Sequence, residues 1–212
     1  MKPIAKSQGK GIFIFRNLKE ISQWKNANRY NPENPSAGSY VVQRYISDPL
    51  LMGGKKFDMR IYALCTNYQP LSIYLYRTGF ARFTHYRYDT DDINNACNNN
   101  NKKIIFIYKQ KVVHLTNVAI QKTSENYDQK LGGKWLLQTL KLQMISKYGQ
   151  EKVDEAFYQV QSIIIKALQA VQKVMINDKR CFELYGFDII LDSNLKPWLL
   201  ESLYDSQYLS RQ

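Results

Sequence analysis

Between Lys55 and Leu64 the chain alternates: Lys56, Asp58 and Arg60 are separated by Phe57, Met59 and Ile61. Period two puts the three charges on one face of a strand and the three apolar side chains on the other. The runs Leu71–Tyr76 and Gly79–Phe83, joined around Arg77 and Thr78, extend this into a predicted antiparallel meander over Lys56–Phe83. Upstream, Ile12–Phe15 reads as a β-like segment and Tyr40–Ile46 as a strand ended by Ser47-Asp48-Pro49. The polar interval from Leu18 to Ser39, with Asn and Pro clustered around Tyr30–Pro35, predicts a loop. His114–Gln121 is short and mixed. Gly132-Gly133-Lys134-Trp135 is expected to open a helix to about Lys147, with Trp135, Leu136, Leu140 and Met144 on one face. Val153, Phe157, Val160, Ile164, Leu168, Val171 and Met175 predict a second helix over Gln150–Ile176. Glu151, Asp154 and Glu155 lie early and Lys166 and Lys173 late, which suits the helix dipole. The apolar stripe is expected to pack on the sheet, which makes the class α+β with a largely antiparallel sheet.

The last patterned stretch, Cys181–Glu201, holds two β-rich runs around Asp192-Ser193-Asn194 and predicts a hairpin. With Ser193 and Asn194 as the turn, Asp188 falls opposite Leu199. Glu201 then shares the face of Asp188, one diagonal step of about 7–8 Å away. Two carboxylates so placed can grip one hard cation, and Mg²⁺ prefers carboxylate and phosphate oxygens. The plainer alternative is a pair of solvated acids on a sheet edge. The apolar neighbours Phe187, Ile189, Ile190, Trp198, Leu199 and Leu200 argue against it, since an ionised acid among them needs a partner.

Composition bounds what such a face could meet. The 212 residues suffice for one domain with a core, and the 44% hydrophobic share is that of a globular chain. Thirty Lys and Arg against 18 Asp and Glu give a net charge of +12, a field that attracts nucleic acid, anionic lipid, nucleotides or acidic protein tails. Charge alone does not choose among them. Cys65, Cys97 and Cys181 form no CxxC pair, and two histidines are too few for a His-rich metal site. Neither a signal peptide nor a membrane-length apolar run is evident, so a soluble intracellular protein is expected. Ser7-Gln8-Gly9-Lys10-Gly11 can form an anion nest or a plain turn, and is not a GxxxxGK[ST] loop. The Asn-rich insert, about 86–111, reads as a flexible loop without assigned function.

The motifs taken together, in order, resemble the tubulin–tyrosine-ligase-like family on the ATP-grasp fold. They are Lys2-Pro3 with Ser7–Ile12, Val42–Ile46, Gly53–Arg60, Arg77–Arg82, His114–Asn117, Gly132–Trp135 and Lys196–Glu201. Within that family the chain looks most like the polyglutamylase branch, near its ciliary and basal-body members. The resemblance implies that Lys2, Gln8 and Gly9 hold ATP phosphates and that Gln43, Arg44, Tyr45 and Ile46 form a hinge receiving adenine. Lys56, Asp58, Thr116 and Asn117 would contact the nucleotide. Arg60 and Arg82 would face the reacting carboxylate or the incoming amino acid, and Lys134 would bind that amino acid's carboxylate. Asp188 and Glu201 would ligate Mg²⁺, with Arg60, Arg82 and Glu201 as the catalytic set.

The reaction so implied is ATP-dependent ligation. A glutamate γ-carboxylate in an acidic tubulin tail becomes an acylphosphate, and the amino group of free L-glutamate displaces phosphate to form an isopeptide bond. Such chemistry needs positioning and charge neutralisation more than protein nucleophiles. Microtubules are the implied partner and cytoplasm, cytoskeleton, cilium and basal body the implied places; nucleic acid and membrane insertion are not expected. Two departures stand against the pattern. Leu203 occupies the place of the family's third metal ligand, an Asn, and a Leu cannot coordinate Mg²⁺. The family also carries an N-terminal lobe before Lys2-Pro3. The expectation is therefore a partial ATP-grasp domain over 1–201, truncated at its start, with a divergent tail over 202–212. A catalytically impaired microtubule-binding module, or a ligase for another amino acid such as glycine, are the alternatives.

Overall fold

The computed structural model describes residues 1–4, 11–15, 17–27, 39–89, 112–122, 133–175, 178 and 180–204. Its organising element is the strand β4 (Lys55–Tyr68), longer than the predicted Lys55–Leu64 run. β3 (Leu51–Met52) and β5 (Leu71–Leu75) pair with it, as do β6 (Phe80–Phe83) and β8 (Glu183–Leu191). β7 (Lys134–Leu136) extends the sheet beyond β6, and β9 (Pro197–Tyr204) extends it beyond β8. The result is a seven-stranded sheet with the path β7-β6-β4-β8-β9. All of its pairings are antiparallel. A separate two-stranded ladder joins β1 (Lys2–Pro3) to β2 (Tyr40–Val41).

One sheet face is covered by helices. Of the short helix α2 (Val118–Gln121), α3 (Leu137–Tyr148) and α4 (Gln150–Val171), the last two build the core. Leu137, Leu140 and Met144 of α3 join Val153, Val160, Ile164 and Leu168 of α4 against Phe57, Met59, Ile61, Phe187, Ile189 and Leu191 of the sheet. Leu140 and Ile164 are fully buried, each contributing about 1.5–3 kcal/mol through removal from water. Gly149, at φ 87°, separates the two helices with a backbone conformation that other residues rarely adopt. Helix α4 stops at Val171 rather than Ile176, and its end unwinds into turns in which Val174 and Met175 both donate to the Val171 carbonyl. The fold is α+β, as the alternation and the helical stripe predict.

Several segments differ from their predicted form. The interval read as a loop begins with α1 (Leu18–Ala27). Its cause is a reciprocal cap: the Glu20 amide donates to Asn17 Oδ1 at 3.0 Å, and Asn17 Nδ2 donates back to the Glu20 carboxylate at 3.2 Å. Trp24 of this helix packs against the rings of Phe13, Phe15 and Tyr40. Ile12–Phe15 is not a strand, though Phe13 exchanges backbone bonds with Met1. The run over Tyr40–Ile46 is strand only at Tyr40–Val41, because its ladder partner β1 is two residues long. Lys134–Leu136, expected to begin a helix, is strand β7; the Leu137 amide donates to Gly79 O at 3.0 Å and the helix starts there. A Cβ on Gly133 would lie 2.9 Å from Phe83 O, so this close strand crossing requires glycine.

The hairpin register also changes. The loop is three residues, with the Leu195 amide bonded to Asp192 O and Leu195 itself at φ 66°. A bulge then lies between the pairs Ile189↔Leu199 and Asp188↔Glu201, with Leu200 as the extra residue. Asp188 therefore faces Glu201 directly, not Leu199. Without that extra residue Glu201 would pair with Phe187 and point toward the helices.

Candidate functional site

The uncovered face of β4 carries the even-numbered residues Lys56, Asp58 and Arg60. Its neighbours bring the complementary charges at fixed heights. Asp58 lies opposite Arg82 on β6, Arg60 opposite Asp188 on β8, and Asp188 opposite Glu201 on β9. Lys134 on β7 lies opposite Arg82. Across the sheet the face thus grades from basic at β7 and β6 to acidic at β8 and β9.

The charges are locked together. Arg82 Nε donates to Asp58 Oδ1 at 2.9 Å and its Nη2 donates to Asp58 Oδ2. The same Nη2 sits 2.7 Å from Asp188 Oδ2. Arg60 grips Asp188 at both oxygens, Nε to Oδ1 at 2.5 Å and Nη2 to Oδ2 at 3.1 Å. Asp58 and Asp188 are only 2% and 4% exposed, so their charge is tolerable only in this paired state. Burial pulls both guanidinium pKa values down, and the bonds to Asp58 and Asp188 more than offset it, leaving both above the usual arginine value. Gly186, opposite Tyr62 on β8, makes room: a Cβ there would lie 3.2 Å from Arg60 Cδ. Leu203 pairs with Gly186 on the same side as Glu201 and adds no oxygen donor.

Lys56 is held differently. Its Nζ donates to Tyr45 Oη at 3.1 Å and to His114 O at 2.8 Å, and sits 4.5 Å above the Tyr45 ring. Burial lowers its pKa to about 8, with Asp58 opposing the drop. Burial also pushes the Tyr45 phenol up, reinforced by its bond to Tyr88. Tyr45 Oη is 3.0 Å from His114 Nδ1, so Lys56, Tyr45 and His114 tie β4 to the segment before Thr116 and Asn117. Thr116 is buried, and Asn117 caps α2 with its carbonyl, which accepts from the Ile120 and Gln121 amides. Gln43 and Arg44 are exposed, while Ile46 is half-buried. Lys134 is exposed with its Nζ 4.6 Å above the Phe80 ring. Lys2 Nζ donates to Leu200 O at 2.9 Å, the carbonyl of the bulged residue. Gln8 and Gly9 lie outside the described residues.

Pattern reading missed three positions that aim this face. Leu200 sets the bulge. Gly186 accommodates Arg60, and a glycine inside an apolar strand is the signal that flags such close approach. Gln121 is buried and clamps the Thr116 segment, accepting from the His85 amide at 2.7 Å and donating to Val112 O and Leu115 O at 2.8 and 2.6 Å. Nothing local in the sequence marks it.

Among the described residues no three His, Cys, Asp or Glu side chains converge as a metal cage. The donor set is two carboxylates on one face, which fits a hard cation that keeps waters and takes phosphate oxygens as its remaining ligands. The fit carries one condition: both Asp188 oxygens are engaged by guanidinium groups.

Comparison with known proteins gives a consistent picture. The profile of the Tubulin-tyrosine ligase family matches residues 1–202. "Probable tubulin polyglutamylase TTLL9" of Bos taurus is 44% identical over 229 residues, covering 95% of this chain and 46% of its own length. "Probable alpha-tubulin polyglutamylase Ttll1" of Tetrahymena thermophila is 46% identical over 203 residues, again covering 95% of this chain and 46% of its own length. "Tubulin polyglutamylase TTLL5" of Homo sapiens is 34% identical over 216 residues, covering 95% of this chain and 15% of its own length. The chain spans about half the length of the first two relatives and far less of the third.

Proposed function

The chain belongs to the tubulin-tyrosine ligase family, and on that premise we propose that it is the ATP-grasp portion of a tubulin polyglutamylase. The reaction joins free glutamate to a γ-carboxylate of an acidic tubulin tail. Carboxylate attack on the γ-phosphate of ATP releases ADP, and amine attack on the resulting acylphosphate releases phosphate. The observation that carries this reading is the graded face: acids at β8 and β9, guanidinium groups at β4 and β6, and an ammonium at β7. A phosphoryl transfer to a carboxylate asks for that order, with cation ligands at one end and anion-binding groups at the other.

In this reading Asp188 and Glu201 hold Mg²⁺, which when bound neutralises phosphate charge. Arg60 and Arg82 orient the carboxylates and Lys134 receives the free amino acid. Lys2, Gln8, Gly9, Lys56, Asp58, Thr116 and Asn117 border the nucleotide, and Gln43–Ile46 receive adenine. The +12 charge speeds encounter with acidic tails. Work on the cytoskeleton, in cilia and at basal bodies follows from that substrate. The test is incubation with microtubules, Mg·ATP and labelled glutamate, for this chain and for Leu203→Asn. Incorporation that rises with Leu203→Asn and vanishes with Glu201→Gln is expected; no label from either active form overturns the proposal for this chain.

Leu203 favours one second reading, a microtubule-binding module that no longer ligates. It requires cosedimentation with microtubules together with no heat of Mg·ATP binding. Tight Mg·ATP binding removes it.

A further inference from the structure

We propose that Arg60 is an exchangeable counter-ion of Asp188: a divalent cation arriving at Asp188 displaces its guanidinium and so releases it toward an anionic ligand. The inference rests on the cation reading of Asp188 and Glu201 and adds a coupling between the cation and the basic half of the face.

Charge and partners decide which arginine moves. Arg82 has two acids, a two-point contact with Asp58 and one bond to Asp188. If Asp188 turns to a cation, Arg82 keeps Asp58. Arg60 has Asp188 as its carboxylate partner among the described residues and holds both of its oxygens. Its side chain is also the more exposed, 14% against 9% for Arg82. A guanidinium losing its acid in so dry a place must find another anion or reach water. Arg60 lies directly over Gly186, where a Cβ would come within 3.2 Å of its Cδ, so its place on the sheet is bounded on that side by backbone alone.

Charge points the same way. A divalent cation seated at Asp188 adds two positive charges beside Arg60 and Arg82, with Lys56 already next to Asp58 on the same face. Release of Arg60 takes one positive charge away from that centre. Cation binding and anion binding are therefore linked, and each tightens the other by the same factor.

Calorimetric titration of the full chain with Mn²⁺ alone provides the test, using wild type, Arg60→Gln and Arg60→Lys. Loss of the competing two-point contact raises Mn²⁺ affinity several-fold in Arg60→Gln, and to a smaller extent in Arg60→Lys, whose ammonium cannot span both oxygens. Weaker or unchanged affinity in both variants overturns the exchange and makes Arg60 a fixed support of Asp188. Tightening in Arg60→Gln alone reduces the effect to charge relief and also overturns it. Phenylglyoxal labelling read by peptide mass spectrometry is the second readout and needs no variant to fold. Saturating Mn²⁺ raises Arg60 modification several-fold while Arg82 stays protected; bound Mn²⁺ without that rise refutes the proposal. Asp188→Asn separates the levels. If it binds Mn²⁺ as wild type does, the cation reading fails before the exchange is reached.

Discussion

The two faces of β4 alternate along one strand of 14 residues and follow opposite rules. Phe57, Met59 and Ile61 meet the helices through contacts that are individually weak and non-directional. Asp58 and Arg60 meet arginine and aspartate through a few bonds whose loss strands an ion. The apolar face loses stability in proportion to what is removed. The charged face is conditional, because each group is tolerable only while its partner is present.

The largest expected effect tests that conditionality. Asp58→Leu leaves Arg82 with Asp188 alone and should cost about 3–5 kcal/mol in denaturant unfolding. Adding Arg82→Met should recover most of the loss, although the double variant removes more charge than the single one. A double variant as unstable as the sum of its parts would break the contrast. The core behaves otherwise. Met59→Ala should cost about 3 kcal/mol, within the usual range for a buried methionine truncation, and Met144→Ala added to it should deepen the loss.

The smallest effect lies at Lys56 and depends on pH. Its folded pKa of about 8 is below the ordinary lysine value of 10.5, so between these the unfolded chain holds more protons than the folded one. Stability therefore rises with pH through that window, and the cost of burying the ammonium is fully present below about 8. The gain from pH 8 to 9.5 should be about 1.5 kcal/mol, and Lys56→Met should abolish it. A slope that survives the substitution would assign it elsewhere.

Local alternation made β4 legible, with the two faces of Lys56–Ile61; the predicted meander is not formed, because β5 and β6 both pair with β4, at its far and near halves, and not with each other. The stripe over Val153–Leu168 made α4 legible for the same reason: period and burial coincide. What escaped was set by partners distant in sequence. The α1 helix carries its own signal in Asn17 and Glu20, hidden by the polar composition around it. Lys134–Leu136 has the look of a helix start but is drawn into the sheet by β6. The facing of Asp188 and Glu201 depends on an inserted rung at Leu200, and turn counting cannot supply it. The pairing of Arg60 and Arg82 with Asp188 likewise requires the register of three strands, although each residue was individually picked out.

The bond from Lys2 to the Leu200 carbonyl spans 198 positions of the chain. Anything made in order from its first residue meets that requirement late. A nascent chain paused on the ribosome before Leu200 already holds every arginine of the face, yet cannot aim the final acid. Contacts so remote in sequence close slowly. The facing of Asp188 and Glu201 is thus fixed only once β9 has been made.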